Sequence, residues 1–465
     1  MCGIIGVFKP GDLKEIFETM IKMLINLQHR GQEGYGFAIV GNELRLRVIK
    51  TRFHLYDFMW GIDKYVKSPA KAIAGIAHAR YSTTGEYSTP VQPVVISTDK
   101  IKIAMAFNGT IANYVEIFEY IGKEIDLKKI HPSVFDNDST VLAGVLLKLV
   151  INNGYDVIEA LRDLPSFVNG AYSLVVLTNE PRIVVARDLH GFHPLAYAIH
   201  DGFYVASENP ALEVMGLQTW REVGYGEIIS YDGYGVERTR ARGNIDPSPC
   251  VFEYVYFSRP DTVFNNISVY DARFKMGELL AAVEPVDGDV VIPVPEGGRI
   301  IALGYSSKTG IPYIEGLFVN RYVGRGFITP PNMRGLISSL KYNAIKTAIQ
   351  GQRVILIDDS IVRGTTMRQI VSLVKSRGAS EVHVRIASPP FKCPCYMGID
   401  VYSKRELAFS NNIEDVKKLI NADSLAYNTL ENLSKAVGLP RVCHACFSCL
   451  YPIPLKYQGD IACSR

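Results

Sequence analysis

The first half of the chain is a series of short apolar runs with few long amphipathic stretches between them. Apolar residues at helical spacing predict helices over Leu13–Gln28, Tyr114–Ile121 and Ser139–Asn152. Together these segments predict layered sheets with helices outside them. The predicted strands are Ile4–Phe8, Gly36–Val40, Ala72–Ala77, Ile101–Phe107, Tyr172–Leu177, Arg182–Ala186 and Phe203–Ala206.

The second half has a different order of predicted elements, in which apolar strands alternate with helices. The predicted strands are Val290–Val294, Val354–Ile357 and Glu381–Ile386, and the predicted helices are Asp271–Ala282 and Thr366–Arg377. This alternation predicts a parallel sheet of βαβ units. Ligands of such sheets bind beyond the carboxyl ends of the strands, so we expect a site just after Ile357 and Val294.

Residues 238–250 separate the halves and are rich in Arg, Gly, Asn, Asp, Pro and Ser without periodicity, which predicts a linker. We therefore predict two domains, residues 2–245 and 246–465. A chain of 465 residues is long enough to form both cores. Its net charge of +3 and 48% hydrophobic content are ordinary for a globular protein and disfavour nucleic acid as a partner.

The apolar runs are too short to predict a membrane span. The richest, Val141–Ile151, is interrupted by Lys148, whereas a spanning helix needs about 20 mostly apolar residues. No basic region precedes the first apolar residues, as it would in a secretory signal. We expect a cytoplasmic protein with no membrane partner.

Cys2 is a candidate nucleophile. It follows a Met that aminopeptidases remove when the next side chain is small, and removal would leave a thiol and a free α-amine on one residue. Such an amine has a pKa near 7.7 to 8, so it can take the proton of the thiol near neutral pH. Taken alone, a Cys at the second position is more often a small buried apolar side chain than a nucleophile.

Four polar segments follow Cys2 in the order His29–Gln32, His78–Thr83, Asn108–Thr110 and Asp136–Ser139. The set resembles the class II glutamine amidotransferase domain, an N-terminal-nucleophile hydrolase with a four-layer αββα fold. The resemblance implies that Cys2 attacks the glutamine amide and that Asn108 and Gly109 stabilise the oxyanion. It also implies that Arg80 binds the α-carboxylate of glutamine and that Asp138 binds its α-amino group. Taken singly, Asn-Gly is often a hairpin turn and Asp-Ser a helix cap.

Residues Val354–Thr366 form an apolar strand, an acidic pair, a glycine turn and a helix start, and they resemble the phosphoribosylpyrophosphate (PRPP) signature of type I phosphoribosyltransferases. A helix N-terminus with hydroxyl groups suits a phosphate, and carboxylates suit ribose hydroxyls and Mg²⁺. The resemblance therefore implies Mg²⁺ at Asp358 and Asp359, and pyrophosphate contacts from Arg325 and Lys341, although Lys341 could equally be a surface lysine. The full implied set for PRPP is Asp358, Asp359, Ser360, Arg363, Gly364, Thr365, Thr366, Arg325 and Lys341.

Four of the eight cysteines form a candidate metal centre. Cys443 and Cys446 make a CxxC pair, and Cys250 and Cys395 are distant thiols that could complete tetrahedral sulfur ligation of Zn²⁺ or an iron–sulfur cluster. Spacing alone leaves both metals open. The flanking residues resemble the [4Fe–4S] branch of the glutamine PRPP amidotransferases, which implies that these four cysteines bind a [4Fe–4S] cluster. We expect the others, Cys393, Cys449 and Cys463, to be ordinary thiols.

The two halves in this order resemble the amidophosphoribosyltransferase family. The resemblance implies a glutamine-dependent enzyme that converts PRPP to 5-phosphoribosylamine, glutamate and pyrophosphate at the first step of de novo purine biosynthesis. It further implies Mg²⁺ and a [4Fe–4S] cluster as cofactors, a homotetramer, inhibition by purine nucleotides, and an apolar passage for ammonia.

Three positions depart from the family pattern: Gly326 replaces a Thr, His193 replaces an Arg, and Glu296 lies where an Asp-Ser pair is usual. Two alternatives stay open, and Gly326 and Glu296 are the sequence support for the second. One is a glutaminase with another acceptor, of which a hexose phosphate is the nearest example. The other is a paralogue that has lost or altered its transferase activity and acts as a regulatory or partner subunit.

Overall fold

The computed structural model describes residues 1–51, 55–61, 71–81, 92–121, 137–320, 341–399, 401 and 412–455. The strands are β1 (Gly3–Asp12), β2 (Tyr35–Val40), β3 (Leu46–Thr51), β4 (Lys71–Ala79), β5 (Val94–Ser97), β6 (Lys102–Ile111), β7 (Gly170–Thr178), β8 (Ile183–Arg187), β9 (Ala196–Ile199), β10 (Phe203–Ala206), β11 (Arg221–Glu222), β12 (Glu227–Tyr231), β13 (Val236–Arg240), β14 (Val263–Phe264), β15 (Ile267–Ser268), β16 (Val290–Pro293), β17 (Leu317–Val319), β18 (Tyr342–Ala344), β19 (Arg353–Asp358), β20 (Glu381–Ile386) and β21 (Ser424–Tyr427). The helices are α1 (Leu13–Ile25), α2 (Leu55–Trp60), α3 (Tyr114–Ile121), α4 (Asp138–Asn152), α5 (Val157–Asp163), α6 (Pro210–Glu213), α7 (Val269–Leu280), α8 (Arg299–Thr309), α9 (Lys346–Ile349), α10 (Thr365–Ser376), α11 (Ile413–Ile420), α12 (Leu430–Val437) and α13 (Ala445–Ser448), with a 3₁₀ turn at Leu164–Ser166 and a π-helical turn at Glu253–Phe257.

The first half is a four-layer αββα sandwich. Its two antiparallel sheets have the strand orders β11-β9-β10-β1-β4-β2-β3 and β13-β12-β8-β7-β6-β5. Along β1, Ile5 and Val7 pack against α1, whereas Ile4 and Phe8 enter the core between the sheets. Strand β6 alternates in the same way between that inner core and α4. Side chains alternate between the two faces of each strand, and the apolar pattern of the sequence follows this period of two. The two sheets with helices outside them confirm the predicted fold class of the first half.

Polar side chains fix where the outer helices begin. Asp12 Oδ1 accepts a hydrogen bond from Lys14 N at 2.8 Å at the start of α1, and Asn137 Oδ1 accepts from Ser139 N at 2.8 Å at the start of α4. Asn137, rather than the following Asp138, therefore caps α4. Within the described ranges, no single helix is long and apolar enough to cross a membrane, although two helices bent by 118° at their junction, Asp138–Asn152 and Val157–Ser166, reach that length and composition together.

The second half contains a parallel sheet of order β16-β19-β20-β21 with helices on both faces. Residues Val291, Ile355 and Ile357 pack against α7 and α8 on one face. Residues of the opposite parity, such as Ile292 and Leu356, pack against α10 and α11 on the other. This arrangement confirms the predicted α/β fold of the second half, and it brings the carboxyl ends of β16 and β19 to one edge.

The linker prediction was wrong at its beginning. Residues 238–240 belong to β13, which pairs with β12 at the edge of the second sheet. An edge strand exposes polar side chains, so it lacks the apolar alternation that identifies inner strands. Residues 241–249 contain no helix or strand, and Arg242 N and Ser248 N donate to carbonyls of Arg162 and His190 in the first half. The domain boundary near residue 245 stays a prediction.

One apolar core joins the two halves. It includes Met1, Ala112, Ala171 and Phe192 from the first half. The second half contributes residues around the four predicted cluster cysteines, which line the same core. The segments that carry these cysteines therefore pack against Met1, the residue that precedes Cys2.

Candidate active sites and cysteine cluster

The backbone and the thiol of Cys2 are both held in place just before β1. Its N–H donates to Asn108 Oδ1 at 2.8 Å, and its Sγ donates to the carbonyl of Tyr81 at 3.5 Å. Burial raises the pKa of the Cys2 thiol, while the positive charges of the amino terminus and of Arg80 oppose that rise. The thiol therefore lies in a partly buried environment that contains cations able to stabilise a thiolate.

Asn108 contacts Cys2 and has one amide donor without a hydrogen-bond partner among the residues that the structure describes. Its Oδ1 is fixed by the Cys2 N–H, and its Nδ2 is buried with no hydrogen-bond partner among the described residues. A buried donor normally has a partner, because leaving it unpaired costs about 1–3 kcal/mol. An unpaired donor beside a thiol is the arrangement that an oxyanion requires.

Gly109 follows in the middle of β6, where it pairs with Tyr172 of β7. The Asn-Gly pair is therefore in a strand and does not form a hairpin turn. Gly109 has φ of +149°, and a Cβ there would lie 1.9 Å from the carbonyl oxygen of Ala171. Only glycine fits at this position. Because it has no Cβ, β7 can lie close to the strand that carries Asn108.

Arg80 and Asp138 lie at the ends of the neighbouring elements. Arg80 follows β4, and its backbone is hydrogen-bonded to residues 33 and 34, with N–H to Gly34 O at 2.8 Å. Asp138 starts α4, and its Oδ2 accepts from Ile111 N at 3.2 Å at the end of β6. Both side chains are buried. The structure thus gathers Cys2, Asn108, Gly109 and Arg80 in one site and ties Asp138 to the same strand.

The acidic pair lies where β19 ends. Asp359 N donates to Asp358 Oδ1 at 2.9 Å, and Ser360 Oγ donates to Asp359 Oδ1 at 2.6 Å. Burial, followed by the charge of Asp359, raises the pKa of Asp358 well above its usual value, and burial raises the pKa of Asp359 to about 6. Two adjacent carboxylates, of which Asp358 is half-buried and Asp359 is buried, favour a bound cation.

The chain turns immediately after this pair into the N-terminus of a helix. Gly364 has φ of +71°, and α10 begins at Thr365, so both Thr365 and Thr366 are exposed beside free backbone N–H groups. The intervening Arg363 is exposed as well. This strand–turn–helix geometry is the one that phosphate groups bind in other proteins.

The neighbouring loop closes on the acidic pair from β16. A Cβ on Gly297 would lie 1.8 Å from Asp359 Oδ2, so the loop backbone packs against the carboxylate. The exposed Glu296 side chain forms an ion pair with Arg299 Nη1 at 3.2 Å. The positive charge of Lys341 lowers the pKa of Asp358, although burial dominates there. Two other expected positions, Arg325 and Gly326, lie outside the described residues.

The four predicted cluster cysteines are all buried in the core that joins the halves, with exposures of 5–8%. Burial and the charges of neighbouring thiolates in the group raise the pKa values of Cys250 and Cys446 well above the usual range. Cys395 Sγ accepts N–H donors from Met397 at 3.3 Å and Ile399 at 3.4 Å. In the part of the chain that the structure describes, no group of three or more His, Cys, Asp or Glu side chains is placed to hold a single metal ion.

Two of the three cysteines expected to be ordinary thiols form a disulfide. Cys393 and Cys449 are joined, with their Cα atoms 5.4 Å apart, so that expectation was wrong for both. Their segments already lie together, because Cys393 N donates to Cys446 O at 3.1 Å. The disulfide therefore links two of the segments that carry cluster cysteines. Cys463 lies outside the described residues.

We expect loss of this disulfide to destabilise the protein. The bond closes a loop across a sequence separation of 56 residues, so chain entropy predicts that Cys393→Ser lowers the free energy of unfolding by roughly 4 kcal/mol. Denaturant unfolding of the oxidised protein measures the change. Reduced wild-type protein should match the variant, and equal stability of the variant and the oxidised wild type would contradict the expectation.

Sequence reasoning missed an ion cluster at the junction of the halves, formed by Arg30, His193, Glu208 and Glu253. All four side chains are essentially inaccessible to solvent. Arg30 Nη2 donates to Glu253 Oε1 at 2.7 Å and Arg30 Nε donates to Cys2 O at 3.3 Å. Two separate signals were present in the sequence: Arg30 lies within the segment His29–Gln32, and His193 is one of the three departures from the family pattern. The partners are too distant along the chain to be inferred.

Comparisons with known proteins agree with this two-site arrangement. Residues 61–225 match the family described as a glutamine amidotransferase domain, and residues 276–388 match the family described as a phosphoribosyl transferase domain. The fold and the sites therefore define a glutamine amidotransferase whose second half is a phosphoribosyltransferase.

Full-length relatives narrow this class. Amidophosphoribosyltransferase of Archaeoglobus fulgidus is 38% identical over 464 residues, covering 97% of this chain and 98% of the relative. That of Pyrococcus horikoshii is 41% identical over 458 residues, covering 97% and 96%. A solved glutamine PRPP amidotransferase from B. subtilis, complexed with ADP and GMP, is 34% identical, with a TM-score of 0.86 and 98% coverage of both chains. The chain belongs to the amidophosphoribosyltransferase family of enzymes.

Proposed function

We propose that this protein transfers the amide nitrogen of glutamine to PRPP, giving 5-phosphoribosylamine, glutamate and pyrophosphate in de novo purine biosynthesis. The observation that carries the proposal is the unpaired Nδ2 donor of Asn108, held beside Cys2 by the bond between Asn108 Oδ1 and Cys2 N. The family relationship and the acidic pair before α10 support the second half of the reaction.

Glutamine hydrolysis begins with a proton transfer within Cys2. Removal of Met1 frees the α-amine, which takes the thiol proton, and the thiolate attacks the side-chain amide carbon of glutamine. Negative charge then develops on the amide oxygen, where Asn108 Nδ2 and the Gly109 N–H stabilise it. The amine returns the proton to the leaving nitrogen, ammonia departs, and water hydrolyses the thioester to glutamate.

Arg80 and Asp138 orient the substrate in this proposal. A guanidinium offers a planar fork of donors that matches the α-carboxylate of glutamine. A carboxylate at Asp138 accepts from the α-amino group. The buried position of both side chains supports these roles, since a charged partner is worth more where water is scarce.

Asn108→Asp tests the oxyanion assignment with little change in shape. The variant keeps an acceptor for Cys2 N but replaces the donor with a negative charge. We expect kcat for glutamine hydrolysis to fall about 10²- to 10³-fold, while synthesis from ammonia persists. Steady-state assays with glutamine and with ammonium chloride measure both. A variant that hydrolyses glutamine at the wild-type rate would exclude Asn108 from the oxyanion site.

PRPP binds beyond β19 in this proposal. The N–H groups at the start of α10, with Arg363, Gly364, Thr365 and Thr366, hold the 5-phosphate. Carboxylate oxygens are the ligands that Mg²⁺ prefers, so Asp358 and Asp359, with the hydroxyl of Ser360 beside them, fit a Mg²⁺–ribose site. An ion held there would neutralise charge on the departing pyrophosphate. Lys341 and Arg325 contact the same leaving group.

The four buried cysteines fit an iron–sulfur cluster. Four thiols in one apolar core, with backbone N–H groups donating to Cys395 Sγ, provide the sulfur ligands and hydrogen bonds that such clusters have. Cys250, Cys395, Cys443 and Cys446 would hold a [4Fe–4S] cluster, which would join the core behind Cys2 to the C-terminal segment as a structural group.

Anaerobically purified protein should therefore be brown and contain about four iron atoms per chain. Cys446→Ser should lose most of this iron, whereas Cys463→Ser, at a cysteine outside the proposed ligand set, should retain it. Metal analysis of the three proteins measures the difference. Colourless protein with one Zn²⁺ per chain would replace the cluster assignment with a zinc site.

The identity of the acceptor tests the proposed function most simply. With glutamine and Mg²⁺, the protein should release pyrophosphate from PRPP and should not aminate fructose 6-phosphate. Amination of the hexose phosphate without use of PRPP would favour the glutaminase alternative. No described feature favours a paralogue without activity.

Regulation and assembly follow from the family. We propose inhibition by purine nucleotides, because a solved relative is complexed with ADP and GMP, and a homotetramer in solution. Inhibition assays with each nucleotide and the mass of the particle in solution check the two points.

A further inference from the structure

The ion cluster at the junction connects Cys2 to the second half through an unbroken series of hydrogen bonds. Arg30 Nε donates to the Cys2 carbonyl at 3.3 Å. The two terminal nitrogens of Arg30 donate to Glu253 at 3.1 and 2.7 Å, and Nη1 also donates to Glu208. The guanidinium that contacts the nucleophile backbone is therefore itself held by carboxylates on both sides.

His193 extends this series away from Cys2. Its Nδ1 lies 3.0 Å from Glu253 Oε1, and its Nε2 lies 2.7 Å from the carbonyl oxygen of Met397. The His193 ring therefore joins the Glu253 carboxylate to the backbone of Met397. Glu253 lies between this ring and the guanidinium of Arg30.

Met397 completes the link, since its N–H donates to Cys395 Sγ at 3.3 Å. The residue whose carbonyl is held by His193 thus also donates to a predicted cluster ligand. The hydrogen bonds run from the Cys2 carbonyl through Arg30, Glu253 and His193 to the backbone beside Cys395.

The Glu253 carboxylate is inaccessible to solvent and accepts hydrogen bonds on both of its oxygens. Arg30 donates to Oε2 at 3.1 Å and to Oε1 at 2.7 Å. Ser258 Oγ adds a further donor to Glu253 Oε2 at 2.7 Å. Buried ions in such a network have few alternative arrangements, because each unpaired charge would be strongly unfavourable.

We propose that Glu253 and His193 are positioning residues for glutamine hydrolysis, holding Arg30 and the Cys2 backbone against the segment that carries Cys395. The proposal deepens the proposed function and rests on Cys2 being the glutaminase nucleophile. Through these hydrogen bonds, the conformation of the segment around Cys395 affects the rate of glutamine hydrolysis at Cys2.

The test compares two substitutions at His193 in the full-length protein. His193→Phe fills similar space without donors, so we expect kcat for glutamine hydrolysis to fall about 10- to 100-fold, with KM for glutamine and the rate with ammonia little changed. His193→Arg keeps several side-chain N–H donors and should restore most of the rate. His383→Phe is a matched control, because His383 Nε2 also pairs with a carboxylate, Glu381, at 2.9 Å but far from Cys2 along the chain.

Other outcomes are decisive as well. Unchanged kcat in His193→Phe would overturn the proposal, as would an equal loss in His193→Phe and His193→Arg. If His193→Phe loses both activities through misfolding, Ser258→Ala removes one donor to Glu253 and leaves no charge unpaired. A selective fall in its glutaminase kcat supports the proposal, and an unchanged kcat contradicts it. If wild-type protein does not hydrolyse glutamine, the proposed function fails instead.

Discussion

Cys2→Ala should abolish the use of glutamine while sparing the use of ammonia. Without the thiol there is no covalent intermediate, and loss of an enzymatic nucleophile typically lowers kcat on the order of 10⁴-fold or more. The acidic pair at β19 belongs to a different sheet, so added ammonium chloride should still give 5-phosphoribosylamine. Pyrophosphate release with each nitrogen source measures both activities.

The same mechanism requires that the wild-type protein has lost Met1. Intact-mass analysis of active wild-type protein should show a chain that begins at Cys2, because a retained Met1 would block the α-amine. Loss of both activities in a folded Cys2→Ala protein would contradict separate sites. Retained glutamine use would remove Cys2 from the mechanism.

Unlike Cys2→Ala, Asp358→Asn should lose the synthesis of 5-phosphoribosylamine with both glutamine and ammonia. The substitution removes a negative charge from the proposed Mg²⁺–ribose site, and we expect synthesis to fall about 10²-fold or more with either source. Pyrophosphate release at saturating PRPP and Mg²⁺ is the measurement. Activity should fall with either nitrogen source because ammonia from any source must react at the same ribose carbon.

Asp289→Asn provides a control at the other end of the parallel sheet. Asp289 forms a partly exposed ion pair with Arg353 Nη2 at 2.9 Å, and loss of such a pair costs about 1 kcal/mol or less. Its activity should match that of wild-type protein. An Asp358→Asn enzyme that keeps full activity with ammonia would show that the acidic pair does not bind the reacting ribose.

The sequence was sufficient for most of the fold because apolar side chains alternate with the structural period. The alternation along β1 and β6 follows from burial on two faces, and the apolar strand before Asp358 follows from burial between helix layers. Strand β13 was missed because an edge strand has polar residues on its exposed face. Its pairing with β12 becomes evident only when the sheet is assembled.

The candidate site residues were identified by type and order, which was possible because their chemistry is concentrated in short segments. The ion cluster was not identified, since Arg30 and Glu253 are 223 positions apart and His193 and Met397 are 204 apart. Contacts at such separations depend on how the halves pack. The disulfide was missed for a similar reason, because cysteine spacing does not reveal which sulfurs meet.

The first half is proposed to release ammonia from glutamine and the second half to use that ammonia. The ratio of glutamate to pyrophosphate released tests this coupling most directly. Anaerobically purified protein, given glutamine, PRPP and Mg²⁺, should release glutamate and pyrophosphate in a ratio of one to one, and a parallel reaction with ammonium chloride should release pyrophosphate alone. Glutamate release without pyrophosphate would contradict the account and leave a glutaminase with a different acceptor. Release of neither product in either reaction would contradict catalysis by both halves.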